Sequence, residues 1–327
     1  MKEPLTPFPA QEPGSWASSC APATGQRYSA VARARVLAVL ATLSLGACAT
    51  APREPWVLSS DGLCAPLHRD VGRISTYPEA LATALDIMQR DLGLPTVQVK
   101  LVFLPDTRGL RDLLVRVGYP PKLAREAARE MAAIGGHRIV LINQARLESQ
   151  GWPARLALLA HELGHVLQYE LGGGKRGTSA QWLREGLSDW LGLRVMETLD
   201  GAERGTAWSQ ALARVRSPER AQVMTLGGPG SLPEWVERVP SRVRLPSLSA
   251  LGSFPDWLQQ LRGEAGGALY EYVFVAASTL VEEHGLPAVL HYFALFAERE
   301  DPAVNFLEAF GQTEAQFEDR LQRVVRP

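Results

Sequence analysis

Ala160-His161-Glu162-Leu163-Gly164-His165-Val166 lies in the middle of an apolar stretch that opens at Pro153 and stops at Gly172-Gly173-Gly174. A proline in the first turn and a glycine run at the end predict one helix over 153–171. A step of four residues is just over one helical turn, so His161 and His165 project from the same face. Leu156, Leu158, Leu159, Leu163, Val166 and Leu167 make most of the circumference apolar. Such a helix is expected inside a fold, where its two histidines need partners. Two imidazoles so spaced can meet one metal ion, and Glu162 can reach a water on that ion. Zn²⁺ accepts a nitrogen-rich set of this kind and brings the pKa of its water to about 7. In a chain with six histidines, H-E-x-x-H is an uncommon coincidence.

Such a site needs a third ligand. The next helical stretch, 179–199, carries Trp182-Leu183-Arg184-Glu185-Gly186-Leu187-Ser188-Asp189-Trp190. The glycine run lets the chain reverse, so this helix can return alongside the first. Glu185 could then complete a set of two histidines and one glutamate with an open position. Asp189, one turn further on, could accept the free N–H of a ligand histidine. Gly186 is expected to let the two helices approach closely.

Around this pair the pattern is mixed. An amphipathic helix is predicted over 78–91, a strand over 97–103, helices over 106–117 and 121–133, and a second strand over 137–142. Gly135-Gly136 reads as a breaker between the last two. Helices recur at 268–284, 287–298, 302–310 and 313–325. Strands come early and helices dominate late, which predicts an α+β fold. Residues 216–255 are rich in Pro, Gly and Ser and are expected to form a lid or cleft wall. Residues 48–75 read as a tether, and 76–327 as one domain with an α/β part (76–174) and a helical part (175–327).

H-E-x-x-H followed by W-L-x-E-G and E-x-x-x-D resembles the gluzincin metallopeptidases, and the chain is most similar to their peptidase MA-like group. The resemblance spans roughly 76–300, with motif quality over about 161–190. It implies a zincin-like fold, with His161, His165 and Glu185 as zinc ligands. Glu162 is implied as general base and proton shuttle, and Asp189 as the acceptor that orients a ligand histidine. The strand at 137–142 resembles the edge strand that pairs with extended substrate in this fold. Peptide hydrolysis develops an oxyanion, and related enzymes stabilise it with a downstream Tyr or His. Tyr270 is the preferred donor here, and His68, His137, His284 and His291 read as satisfied or exposed. The Gly-x-Met-Glu-Asn segment of many gluzincin aminopeptidases is absent, and Ala132-Ala133-Ile134-Gly135-Gly136 stands in its place. This argues against aminopeptidase action.

Upstream, Arg33-Ala34-Arg35 precedes an apolar run that ends in Leu45-Gly46-Ala47-Cys48. The run is too short to span a bilayer, which takes roughly 20 residues. A basic segment, an apolar core and small residues form a secretory signal. The cysteine at its end makes it resemble a bacterial lipobox, implying cleavage before Cys48 and acylation of that residue. The working chain is then Cys48–Pro327, with the start of translation near Val31. Cys64 reads as a small apolar residue without assigned chemistry. Net charge is −1, which argues against a nucleic-acid partner. The expectation is therefore a zinc-dependent peptidase acting on peptide or protein. It would be lipid-anchored in a bacterial envelope, on the periplasmic side of the outer membrane. The alternative is a zincin-fold envelope lipoprotein that binds peptides without cleaving them.

Overall fold

The computed structural model describes residues 54–200, 206–216 and 244–326. The stretch expected to be a lipoprotein signal, with Cys48, and most of the expected lid (217–243) lie outside the described residues. The first strand, β1 (Trp56–Ser59), falls inside the stretch expected as a tether. It pairs antiparallel with β2 (Lys100–Leu104), with Trp56 opposite Phe103 and the two rings stacked 3.7 Å apart. That stacking, in place of a buried alternating pattern, holds this short strand to the sheet. Cys64, given no chemistry in the sequence reading, is exposed at the surface. The other two cysteines of the chain lie outside the described residues.

Helix α1 (Tyr77–Asp86) starts as the sequence dictates: Thr76 and Glu79 form a reciprocal capping box and Pro78 occupies the first turn. A π-helical turn, Ile87–Asp91, continues it. After β2 come α2 (Thr107–Arg116), capped by Asp106, and α3 (Pro121–Glu130). Gly135-Gly136, expected as a break, and Ala133, expected as the end of the preceding helix, belong to strand β3 (Ala133–Gly136). It makes a hairpin with β4 (Ile139–Asn143) through His137-Arg138, where Arg138 takes φ 57°. The sheet order is β1-β2-β4-β3, with β2 and β4 parallel and the outer pairs antiparallel. The strand assigned to 137–142 is therefore internal, and the edge beside the H-E-x-x-H helix is β3. The sequence placed the edge one strand too late because two glycines hid the preceding strand.

Alternation puts Leu101, Phe103, Val140 and Ile142 on the face that packs against the main core. Val102, Leu104 and Leu141 turn to the other face, against Leu110 and Leu114 of α2 and Ala124, Ala127 and Ala128 of α3. After the short α4 (Gln144–Glu148) comes α5 (Trp152–Leu171), which carries His161 and His165. It packs on β3, β4 and α1 and runs beside α6 (Gln181–Asp200). Helix α7 (Thr206–Arg216), which the sequence reading did not anticipate, follows. Then come α8 (Phe254–Leu261), α9 (Gly266–His284), α10 (Leu286–Ala294), α11 (Pro302–Phe310) and α12 (Glu314–Val325). The fold is α+β: a small mixed sheet early, then a mostly helical part. Among the described residues no single helix is long and apolar enough to cross a membrane.

Glycines set the closest helix contacts. A Cβ at Gly164 of α5 would meet Ser188 Oγ at 2.8 Å, and one at Gly192 of α6 would meet the Ala157 carbonyl at 3.0 Å. Gly186 does not serve the α5–α6 contact expected of it. Its Cβ position faces α9, 2.2 Å from the Val273 carbonyl oxygen.

Candidate metal centre

His161 and His165 stand one turn apart on α5, their rings edge to face with centroids 4.9 Å apart. Each turns Nε2 toward Glu185 of α6, at 3.4 Å from His161 and 3.6 Å from His165. One ligand atom from each of the three residues lies within 4.8 Å of the other two, and all three residues are buried. Two imidazole nitrogens and one carboxylate oxygen converging on one point form a donor set that suits a divalent metal such as zinc. These residues could hold that ion.

The hydrogen bonds behind the histidines support the fit. Asp189 Oδ1 lies 2.8 Å from His161 Nδ1, so an N–H there donates outward and leaves Nε2 free to ligate. The sequence reading placed Asp189 for this contact. It missed the counterpart: Gln168 Oε1 lies 3.1 Å from His165 Nδ1, with Ser188 Oγ at 3.2 Å. Gln168 is itself held through its amide N–H, which donates to the Arg184 carbonyl at 2.8 Å. Gln181, also missed, donates from its amide to Glu185 Oε1. Both glutamines sit at helical spacing from a ligand, three residues after His165 and four before Glu185, which is the signal that could have found them.

Charge is concentrated in this buried layer. Burial opposes protonation of His161, but the Asp189, Glu185 and Glu162 carboxylates outweigh it and hold its pKa well above the ordinary imidazole value. Burial likewise pushes Glu185 up, yet the two imidazoles hold its carboxyl far below the usual range. Glu162 goes the other way. Burial raises it, and the histidines and the Gly135 backbone offset only part of that. Its Oε2 is buried with no hydrogen-bond partner, a state suited to a group that exchanges a proton.

A cavity of about 550 Å³ opens over these residues. Its lining includes His161, Glu162, His165, Glu185, Asp189 and Tyr270, together with Met131–Gly135 of the edge strand region. Asn143 N donates to the Ala132 carbonyl, so alternation turns the polar groups of Ala133 and Gly135 away from β4. Tyr270 of α9 stands with its ring 6.4 Å from that of His161 and edge-on to Trp257 at 5.1 Å. Its hydroxyl lies 3.8 Å from Met131 Sδ. Burial and the nearby carboxylates raise its pKa well above 10, so the phenol stays protonated. Tyr272 is buried elsewhere, its hydroxyl 3.3 Å from Gln322 Nε2. His68, His137, His284 and His291 stand apart from the cluster beside Glu79, Glu170, Gln312 and Glu308 respectively.

No family model, curated protein or solved structure matches the chain. The buried His161, His165 and Glu185 group stands on its own geometry as a possible metal site and suggests a metal-dependent enzyme.

Proposed function

We propose that the chain is a zinc-dependent metallopeptidase. The observation that carries this reading is the convergence of His161, His165 and Glu185 in a cavity that also contains Glu162 and the free edge of β3. A bound zinc ion supplies a Lewis acid that polarises a carbonyl and acidifies a water. The chain's own residues do the rest. The outward polar groups of Ala133 and Gly135 hold an extended peptide by strand addition. Glu162, its pKa raised above the ordinary carboxylate value by burial, takes a proton from the attacking water and passes it to the leaving amine. Tyr270, kept protonated, donates to the oxygen on which negative charge develops. Asp189 and Gln168 keep the two imidazoles in the ligating tautomer.

We further propose that the protein is tethered to a bacterial envelope membrane by acylation of Cys48, facing the periplasm from the outer membrane. The support is the sequence Leu45-Gly46-Ala47-Cys48 behind a basic and apolar leader.

The test measures zinc per chain in the wild type and in Glu162→Gln, and follows both on a peptide library with and without chelator. Both proteins are expected to hold one zinc. Cleavage is expected in the wild type alone and should vanish with chelator. A wild type without stoichiometric metal would end the proposal. Stoichiometric zinc without cleavage of any peptide would leave a binding module in its place.

A further inference from the structure

The cavity contains positive charge that the metal site does not use. Arg184 directly precedes Glu185 on α6 and is only 2% exposed, yet no carboxylate among the described residues forms an ion pair with it. Both hydrogen bonds of its guanidinium leave from Nη1, to Ser179 Oγ at 3.2 Å and to the Arg176 carbonyl at 3.4 Å. Its guanidinium lies over the Tyr169 ring, 5.0 Å from the centroid. Its neighbour Glu185 is committed to the two histidines and Gln181. Arg176 stands beside it, half-buried, with Nη2 donating to Gln181 Oε1 and its guanidinium 5.8 Å over the Phe254 ring. Among the described residues no carboxylate forms an ion pair with it either.

Two guanidinium groups side by side, one of them buried, are costly without a counter-charge. The other arginines of the cavity are accounted for. Arg214 pairs with Glu271 at 3.0 Å, and Arg146 donates to the carbonyls of Arg129 and Met131. Arg176 and Arg184 line the same cavity as the metal ligands, and their free N–H groups suit a planar carboxylate. The hydrogen-bonded path from Arg176 through Gln181 to Glu185 has two links. Arg176 and the metal ligand Glu185 thus share one glutamine, which places the arginine pair next to the metal site.

We propose that Arg176 and Arg184 form an anion subsite that takes a carboxylate of the substrate close to the bond that is cut. The inference rests on the peptidase reading and narrows it to peptides that carry a carboxylate there. The group is either the chain's own C-terminus or an aspartate or glutamate side chain.

The test is a binding measurement on the full-length chain with Glu162→Gln, loaded with zinc and assayed for zinc content. Three probes of one peptide length are compared by calorimetry: the free C-terminal acid, its amide, and an amide with one glutamate introduced. At least one anionic probe is expected to bind about tenfold or more tightly than the neutral amide, as a charge-assisted contact requires. The probe that gains identifies the source of the carboxylate. Arg176→Gln, at a half-buried position, should remove most of that preference, read within the variant as the ratio of anionic-probe to neutral-amide affinity. Arg184→Lys should retain part of it. Equal affinity for all three probes, or a preference that survives both substitutions, overturns the subsite. Failure of every probe to bind also overturns it. The zinc content of the same sample then reports separately on the metal site: one zinc per chain leaves the metal reading standing, and its absence removes both.

Discussion

Gly135→Ala offers the sharpest test of how the edge strand meets the metal helix. A Cβ on Gly135 would lie 2.7 Å from His165 Cβ, 2.8 Å from the Glu162 carbonyl oxygen and 3.0 Å from Glu162 Oε2. Carbon atoms in contact prefer about 3.5–4.0 Å, so β3 would have to retreat from α5 by about 1 Å. Overpacking of this kind costs about 1–3 kcal/mol. Alanine returns some of that, because glycine in a strand gives up about 0.5–1 kcal/mol of conformational entropy. The net expectation is a loss of about 1–2 kcal/mol. For a domain of this size that lowers Tm by roughly 2–8 °C. Gly136→Ala is the control. Its Cβ would meet only Ile139 Cγ2 at 3.3 Å and the Ile139 carbonyl at 3.9 Å, so its melting should stay close to wild type. Thermal denaturation of the three proteins, with zinc affinity measured by chelator competition, decides the matter. Gly135→Ala should lose affinity as well as stability, because the atoms it displaces belong to His165 and Glu162. If Gly135→Ala melts at or above the wild type with unchanged zinc affinity, the strand is not seated on the metal helix as described.

Asp189→Asn removes the carboxylate acceptor behind His161 Nδ1 and should weaken zinc about 10–100-fold by chelator competition; an unchanged affinity would take Asp189 out of that role. Gly186→Ala would place a Cβ 2.2 Å from the Val273 carbonyl oxygen, so it should destabilise by about 3 kcal/mol; a wild-type denaturation midpoint would contradict the α6–α9 contact. Glu170 accepts from Arg138 Nε at 2.6 Å and Nη2 at 3.2 Å, and this pairing holds its pKa below the usual glutamate value. A carboxylate with a lowered native pKa stabilises the fold above its unfolded pKa, and that contribution is lost as pH falls through the native one. At neutral pH, Glu170→Gln should therefore be less stable by up to about 1 kcal/mol for this partly exposed pair. The difference should close in acid below the native pKa; a constant difference across that range would refute the linkage.

The last two helices, α11 and α12, were legible in the sequence because each has an apolar stripe and clear end signals. Asp301 caps α11, Gly311 ends it in the left-handed region, and Thr313 with Gln316 opens α12. His161, His165, Glu185 and Asp189 were legible for a different reason: helical spacing fixes which residues share a face. What was lost has physical causes. Strand β3 reads Ala-Ile-Gly-Gly, which propensity marks as a break. Its glycine at 135 is required by the approach of α5, a tertiary fact. Strand β1 has half its residues exposed and gives no alternating signal. Helix α6 buries Leu183, Leu187, Leu191 and Val195 but also Arg184, Glu185 and Ser188. A helix surrounded by protein has no stripe to show which neighbour faces which residue, so Gly186 was assigned to the wrong partner.

That crowding around α6 explains how the site holds its shape. Three consecutive residues face three different surroundings. Arg184 looks onto Tyr169, Glu185 onto the two histidines, and Gly186 onto Val273 of α9. Successive side chains on a helix are about 100° apart, so any rotation of α6 that improved one contact would spoil the other two. Translation is blocked as well. Gly186 against α9 and Gly192 against Ala157 of α5 leave no room for a side chain on either flank. The Glu185 carboxylate is therefore positioned by backbone packing, and Gln181 only fixes its last rotation. The same holds across the site, where His161 and His165 are oriented by Asp189 and Gln168 through Nδ1. Ligands held from behind in this way need little rearrangement to accept an ion. Substitutions at the supporting residues, above all the glycines, should therefore affect metal affinity as strongly as many changes within the cavity.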